Sequence, residues 1–205
     1  MAMRAASWVA LLATCSELAA SPSSPSQQED AVRQLLQRRL PSHADKFALS
    51  VQPPPASAPL EQAFSVAAGT AAGTVALTGS SGVALASALN HYLKYDAGIQ
   101  INVWFTSQTQ PAGGSAAELP PPTPANITSP YVFQNYLNIC AFGYSTAWYG
   151  WDRWQAEVDW MALNGVVNPL VSTHDPQGLK ERIFQLLYLC VFYLIFQYTP
   201  LAALG

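Results

Sequence analysis

Two acidic side chains, Glu157 and Asp159, lie in the stretch WDRWQAEVDWMALNG (151–165) together with three tryptophans. Paired carboxyl groups serve proteins as general acid and general base, so acid–base chemistry would be sought here first. The spacing of the apolar residues, however, predicts that this stretch is a helix. Arg153 and Glu157 would form an i,i+4 ion pair on its exposed side, worth only ~0.3 kcal/mol. We therefore predict that Glu157 and Asp159 are solvated or capping groups and not catalysts.

The histidine and cysteine residues do not predict a catalytic or metal-binding site. His174 and Asp175 follow a serine, but this combination is too common to indicate a catalytic triad. Of the three cysteines, Cys15 lies in a predicted leader. Cys140 and Cys190 make neither a disulfide framework nor a metal site, and no cofactor is implied.

The composition excludes one class of function. The chain has 205 residues, of which 50% are hydrophobic and 10% charged, and its net charge is -3. This length predicts one or two domains with enough apolar residues to form a core. There is no basic run or patch for nucleic acid, so DNA or RNA binding is not expected.

Two features indicate the secretory pathway. Residues 1–21 are typical of a signal peptide, with Arg4 before a short apolar run and small residues at its end. The alternative is an alanine-rich buried helix. Asn126 begins an Asn-Ile-Thr glycosylation sequon in a Pro-rich stretch, which fits an exposed loop.

The first half of the chain predicts a small α/β domain at 46–109, after a polar leader and helix at 22–45. Periodicity, capping residues and turn residues predict its elements in the following order: a helix at 29–40, strands at 47–52, 62–69 and 74–80, a helix at 80–98, and a strand at 99–105. The second and third strands would form a hairpin. Residues 110–130 predict a Pro-rich linker.

A second block begins at residue 131. Residues 131–145 predict a strand, 151–165 a helix and 166–172 the next strand. A strand, a helix and a second strand joined by short turns form a βαβ unit with parallel strands. Trp151, Trp154 and Trp160 would pack as core rather than serve as a sugar platform.

The sequence resembles the α-N-acetylglucosaminidase family. The main match is QNYLNICAFGYSTAWYGWDRWQAEVDWMALNG (134–165), in which DWMALNG is the most specific part; a weaker match is TGSSGVALASALNHYLKYDAGIQINVW (78–104). Members of this family are lysosomal glycoside hydrolases that remove terminal α-linked N-acetylglucosamine from heparan sulfate. The resemblance implies a small N-terminal α/β domain followed by a (β/α)8 barrel and a helical domain.

The resemblance also implies which residues contact the glycan. The family's Asn and Cys at the end of the first barrel strand correspond to Asn138 and Cys140. Read from the residues alone, Asn138 would cap a turn and Cys140 would be a small buried side chain. Barrel active sites lie at the carboxyl ends of the strands, so Trp148, between strand and helix, is a candidate for the mouth of the site. The expected partner is a glycan with terminal N-acetylglucosamine.

Residues 131–172 would be the start of an incomplete barrel, since a closed one needs about 250 residues. The resemblance is expected to end near Leu170, and the family's two catalytic glutamates would lie further along. Hydrolysis of this kind needs two carboxyl groups about 5–9 Å apart. The chain is therefore expected to be a truncated N-terminal portion, inactive alone, from a secretory, lysosomal or extracellular glycosidase.

The end of the chain leaves alternatives open. Residues 173–205 are predicted to diverge from the family, and 183–205 are uncharged and long enough to span a bilayer. They could be a membrane span, a lipid-anchor signal, or non-native sequence, which the loss of resemblance inside a strand favours. The alternative function is a secreted or membrane-held module that binds carbohydrate or a partner without catalysis.

Overall fold

The computed structural model describes residues 23–102, 119–136 and 148–169. Its first helix, α1 (Pro25–Arg39), begins earlier than predicted because Ser24 caps it. The Ser24 side chain accepts from the Gln27 backbone N–H, and the Gln27 side chain accepts from the Ser24 N–H at 2.8 Å, which is a capping box. Residues from Pro25 onward are therefore helical, and the prediction that the polar leader extends to a helix start at residue 29 was wrong. A 3-10 helix (Pro41–Lys46) follows.

Four strands form the first sheet, in the spatial order β1-β3-β2-β4. They are β1 (Phe47–Val51), β2 (Ala63–Ala68), β3 (Val75–Gly79) and β4 (Ala125–Thr128). Strand β1 is parallel to β3, whereas β2 is antiparallel to both β3 and β4. The predicted hairpin of β2 and β3 is confirmed, and Gly73 supplies the positive φ in its turn.

Helix α2 (Gly82–Tyr95) packs on one face of this sheet together with α1. The Ser81 hydroxyl caps it by accepting from the Ala84 N–H at 3.1 Å. Alternation along the strands sends the large apolar side chains to the helical face, where they are buried. These include Phe47, Val51, Val66, Val75 and Leu77. The N-terminal domain therefore has two layers, with its core between the sheet and the two helices.

Two predictions for this domain differ from the structure. Residues 125–128 were predicted to be linker, but they form β4 at the edge of the sheet. Residues 99–102, predicted to begin a strand, are irregular. Residues 103–105 of that predicted strand lie outside the described part of the chain.

The second block has the predicted βαβ arrangement. Strand β5 (Asn135–Tyr136) is parallel to β6 (Asn168–Pro169), and α3 (Trp151–Leu163) lies between them in the chain. Gly165, with a φ of 75°, follows the end of α3. Of the described residues in the two predicted strands, only 135–136 and 168–169 form strands, whereas residues 131–134 and 166–167 are irregular.

Helix α3 also joins the two blocks. Its Ala162 and Leu163 belong to the core of the first domain, whereas Trp154, Val158 and Met161 pack with Val83 of α2 in a second apolar cluster. Within residues 23–102, 119–136 and 148–169, no helix is both long and apolar enough to cross a membrane. The predicted hydrophobic segment 183–205 is outside these residues.

Candidate functional site

The end of β5 is where the sequence places the candidate site. Asn138 and Cys140 follow Tyr136 by two and four residues and lie outside the described part of the chain. Trp148 is described and is 88% exposed, three residues before α3 begins. Since it lies between β5 and α3 in the chain, it belongs to the carboxyl side of β5.

A buried polar cluster connects β5 to α3. Tyr136 donates its phenolic hydrogen to Glu157 Oε1 at 2.8 Å. Arg153 Nη1 lies 2.7 Å from Glu157 Oε2, and Arg153 Nη2 donates to the Tyr149 hydroxyl at 3.2 Å. The guanidinium also lies 4.4 Å from the centre of the Tyr149 ring. The cluster therefore holds the Tyr136 side chain in place, just before the segment that includes Asn138 and Cys140.

Burial distinguishes this ion pair from the exposed one that was predicted. Glu157 is only 2% exposed, so the prediction that it is solvated was wrong. Burial, followed by the hydrogen bond to Glu157, raises the pKa of Tyr136 well above its usual value. Tyr136 is therefore a neutral hydrogen-bond donor throughout the physiological range, which matches the acceptor role of the Glu157 carboxylate.

Asp159 forms a second buried ion pair, with the N-terminal domain. Arg38 donates to its two oxygens, from Nη2 at 2.6 Å and from Nε at 3.1 Å, while Arg39 Nε donates at 2.9 Å. Asp159 is 3% exposed, so the prediction of a solvated or capping group was wrong here as well. The bidentate contact fixes the orientation of α3 relative to α1.

The three tryptophans of α3 have the packing role that was predicted. Trp154 is buried, and Trp151 and Trp160 are half-buried against the second apolar cluster. The Trp160 ring lies 5.0 Å from that of Tyr136, and the Trp154 ring 5.6 Å from that of Tyr149. These rings therefore place apolar surface against Tyr136 and Tyr149, two members of the Glu157 cluster.

Sequence reasoning missed a cleft of about 300 Å³ between the two blocks. Its polar wall is one side of α2, where Ser87, Asn90, His91 and Lys94 recur at helical spacing. That polar stripe was the available signal. Gln134, which precedes β5, and Asn164, at the end of α3, line the opposite wall. The cleft thus lies at the amino end of β5, away from the end that leads to Asn138.

Two sequence models of protein-family domains match this chain. The N-terminal domain model of α-N-acetylglucosaminidase matches residues 30–121, and its TIM-barrel domain model matches residues 134–190. The chain belongs to the α-N-acetylglucosaminidase family. Its fold is a small α/β domain followed by the first part of the family's barrel.

Individual members agree with this assignment. Human α-N-acetylglucosaminidase is 35% identical over 160 residues, which cover 75% of this chain and 20% of the human protein. The chain thus spans about a fifth of the length of this curated relative.

Solved structures show the same fold. A family 89 glycoside hydrolase from Clostridium perfringens in complex with its substrate GlcNAc-α-1,4-galactose has a TM-score of 0.63 and 26% identity, covering 71% of this chain and 16% of that chain. A second structure from that organism, in complex with 2-acetamido-1,2-dideoxynojirimycin, has a TM-score of 0.64, covering 80% of this chain and 20% of the other. At 22% identity, this second likeness concerns the fold alone.

The barrel match corrects one prediction. The resemblance was expected to end near Leu170, yet the match continues to residue 190. Residues up to 190 therefore carry the family pattern, and the loss of resemblance that favoured non-native sequence does not occur at Leu170.

Proposed function

We propose that this chain provides the N-terminal domain and the first β/α unit of a glycoside hydrolase that removes terminal α-linked N-acetylglucosamine from heparan sulfate. Membership of the family supports the reaction class. The glycan-bound bacterial enzyme supports a glycan substrate, because its ligand ends in N-acetylglucosamine. The comparisons favour this function over a binding module without catalysis.

The observation that carries the proposal is the hydrogen bond from Tyr136 to Glu157. It fixes β5 to α3 just before the segment that includes Asn138 and Cys140. In a barrel, residues that follow a strand reach the substrate, so the strand must be held firmly for them to be positioned. We assign glycan contacts to Asn138 and Cys140, and a place at the mouth of the site to Trp148, whose exposed indole could lie against a sugar ring.

The two buried acids have structural roles in this proposal. Glu157 is occupied by Tyr136 and Arg153, and Asp159 by Arg38 and Arg39. A glycosidase needs one carboxylic acid and one carboxylate facing the scissile bond. Both oxygens of each carboxylate are already engaged by these partners within the fold. Glu157 and Asp159 are therefore expected to take no direct part in the hydrolysis of an aryl α-N-acetylglucosaminide.

A chimera tests the proposal directly. The N-terminal segment of human α-N-acetylglucosaminidase that aligns with this chain would be replaced by residues 23–169, and kcat and KM measured on the aryl glycoside. We expect an active chimera, and a loss of about 10- to 100-fold in kcat/KM for Asn138→Ala, the cost of one or two hydrogen bonds to the substrate. The matched control, Gln52→Ala, removes an exposed amide and should leave kcat/KM unchanged.

Two results would oppose the proposal. A folded chimera without activity would mean that this segment cannot serve in the enzyme. An active chimera in which Asn138→Ala behaves like Gln52→Ala would remove Asn138 from the glycan site.

Localisation is part of the same proposal: we assign residues 1–21 as a leader into the secretory pathway, towards the lysosome or the outside of the cell.

A further inference from the structure

The Asn126 sequon lies in a β-strand, not in the loop that the sequence predicted. Asn126 is the second residue of β4, the strand at one edge of the first sheet, and its side chain is exposed. Thr128, the hydroxyl residue of the sequon, ends the same strand and is also exposed. The structure therefore fixes the direction in which a group attached to Asn126 would project.

The register with β2 gives this direction. Ile127 pairs with Phe64, whose ring lies 5.7 Å from that of His91 on α2, so both side chains belong to the helical face. Asn126 pairs with Ser65. Because successive residues of a strand point to opposite faces, Asn126 and Ser65 lie on the face away from the helices.

This second face of the sheet is open among the described residues. Its side chains are all small, and none of them is buried: Ala48, Ser50, Ala63, Ser65, Ala67, Ala76, Thr78, Asn126 and Thr128. The helical face of the same strands carries phenylalanine, leucine and valine, most of them buried. Among the residues that the structure describes, a sugar on Asn126 would therefore meet short side chains and displace no packed group.

We propose that Asn126 carries an N-linked glycan that lies over the open face at the β4 edge of the sheet. The donor is an oligosaccharide linked to a polyprenyl diphosphate. The Asn126 amide nitrogen forms a bond to C1 of the first sugar, the bond from C1 to the diphosphate oxygen breaks, and the amide nitrogen loses one proton. The diphosphate is the leaving group.

The location gives the glycan a physical role. An edge strand presents unpaired backbone N–H and C=O groups, which can pair with a strand of another molecule. A flat face of small side chains also offers no steric barrier to such a contact. A hydrated glycan attached to the middle of β4 would cover both features, so it would oppose self-association without contributing to the core.

Glycan occupancy is the first test. Residues 22–205 would be produced in mammalian cells behind a cleavable leader and followed by a short tag that contains its own sequon. We expect two glycans, and only the tag glycan in Asn126→Gln and Thr128→Ala. Thr128→Ser, which keeps the hydroxyl, should retain both. A chain with a glycosylated tag and an unmodified Asn126 in peptide mass spectrometry overturns the proposal.

The second test concerns the face on which the glycan lies. The triple variant Ala125→Asn, Asn126→Gln, Ile127→Thr moves the sequon by one residue, to a position packed against the core on the helical face. We expect the native sequon to give folded, secreted protein and the moved sequon to be retained or unfolded when it is occupied. The double variant Asn126→Gln, Ile127→Thr lacks the new asparagine and therefore controls for the loss of Ile127. Equal secretion and stability of both glycosylated forms would contradict the assigned face.

Discussion

Tyr136 and Glu157, which lie 21 positions apart in the chain, form a 2.8 Å hydrogen bond that joins the first barrel strand to the helix after it. The carboxylate is also paired with Arg153, and the rings of Trp160 and Trp154 pack against those of Tyr136 and Tyr149 respectively. A charged group in such surroundings is stable only while its partners remain. The cluster thus makes the position of β5 sensitive to single substitutions at residues other than those proposed to contact the glycan.

Removal of Glu157 should be strongly destabilising. We expect Glu157→Ala to lower the free energy of unfolding by about 2–3 kcal/mol, because Tyr136 and Arg153 lose the carboxylate that they share, while the exposed quarter of Arg153 limits the loss. Tyr136→Phe should lower it by about 1.5–3 kcal/mol, the usual contribution of a hydrogen bond to a charged group. Urea denaturation measures both, and Tyr131→Phe, which removes a hydroxyl from an exposed ring, is the matched control. If Tyr136→Phe and Tyr131→Phe had equal effects, the hydrogen bond would be energetically unimportant.

The link between Asp159 and α1 predicts a second effect. Asp159→Asn removes the negative charge that pairs with both Arg38 and Arg39. We expect it to lower the free energy of unfolding by about 2–3 kcal/mol. This is less than for a fully buried pair, because both arginines remain about a quarter exposed. Asp152→Asn, on the exposed side of the same helix, should cost under about 1 kcal/mol. A double-mutant cycle with Arg38→Ala would show no coupling if the contact contributed nothing.

Tyr92 predicts a loss of stability in alkaline solution. Burial, and secondarily the charge of Asp96, raises the pKa of Tyr92 to about 12, whereas the unfolded chain ionises near 10. The native state therefore holds a proton that the unfolded state has released, and this stabilisation is lost as the pH rises from about 10 to about 12.

The phenylalanine variant isolates this effect. Tyr92→Phe gives up the 2.7 Å hydrogen bond to the Pro120 carbonyl and should cost about 1 kcal/mol near pH 8. Urea denaturation at pH 8 and pH 11 measures the free energy of unfolding of both proteins. The difference in this free energy between wild type and Tyr92→Phe should be smaller at pH 11 than at pH 8. A difference that stays constant would mean that Tyr92 does not titrate differently in the two states.

A glycine is required at position 79 because the backbone of α2 at Leu85 lies very close to it. A Cβ atom at this position would lie 2.2 Å from the Leu85 nitrogen and 2.6 Å from its Cα, and neither atom can move without displacing α2. We expect Gly79→Ala to destabilise the protein by more than about 3 kcal/mol. At Gly150, the added Cβ would have no neighbour within 4 Å, so Gly150→Ala should cost at most about 1 kcal/mol as an N-cap change. Thermal unfolding of the two variants compares them, and similar midpoints would contradict the predicted clash.

Local patterns allowed much of the fold to be predicted. Apolar spacing located α2 and α3 within a few residues, and alternation located β1, β2 and β3, because these signals depend only on near neighbours in the chain. The start of α1 was missed although its signal is local: Ser24 and Gln27 have capping-box spacing, with Pro25 at the first helical position.

Other features could not be predicted from near neighbours. Strand β4 is four residues long, follows a Pro-rich stretch and is stabilised by pairing with β2, about 60 residues earlier, so local composition favoured a linker. Glu157 and Asp159 are polar residues on an amphipathic helix, where exposure is the usual outcome. Asp159 is buried because Arg38 and Arg39 come from the other end of the described chain.

The resemblance of the motifs indicated the family, and residue types at fixed spacing predicted the α/β class and the parallel βαβ unit. They did not reveal which charges are buried, that a fourth strand completes the sheet, or which face of it Asn126 occupies; the packed chain settles all three. The physical reason is the same in each case. Burial and strand pairing are properties of contacts between distant segments, and a side chain's solvent exposure is defined only once those segments have packed.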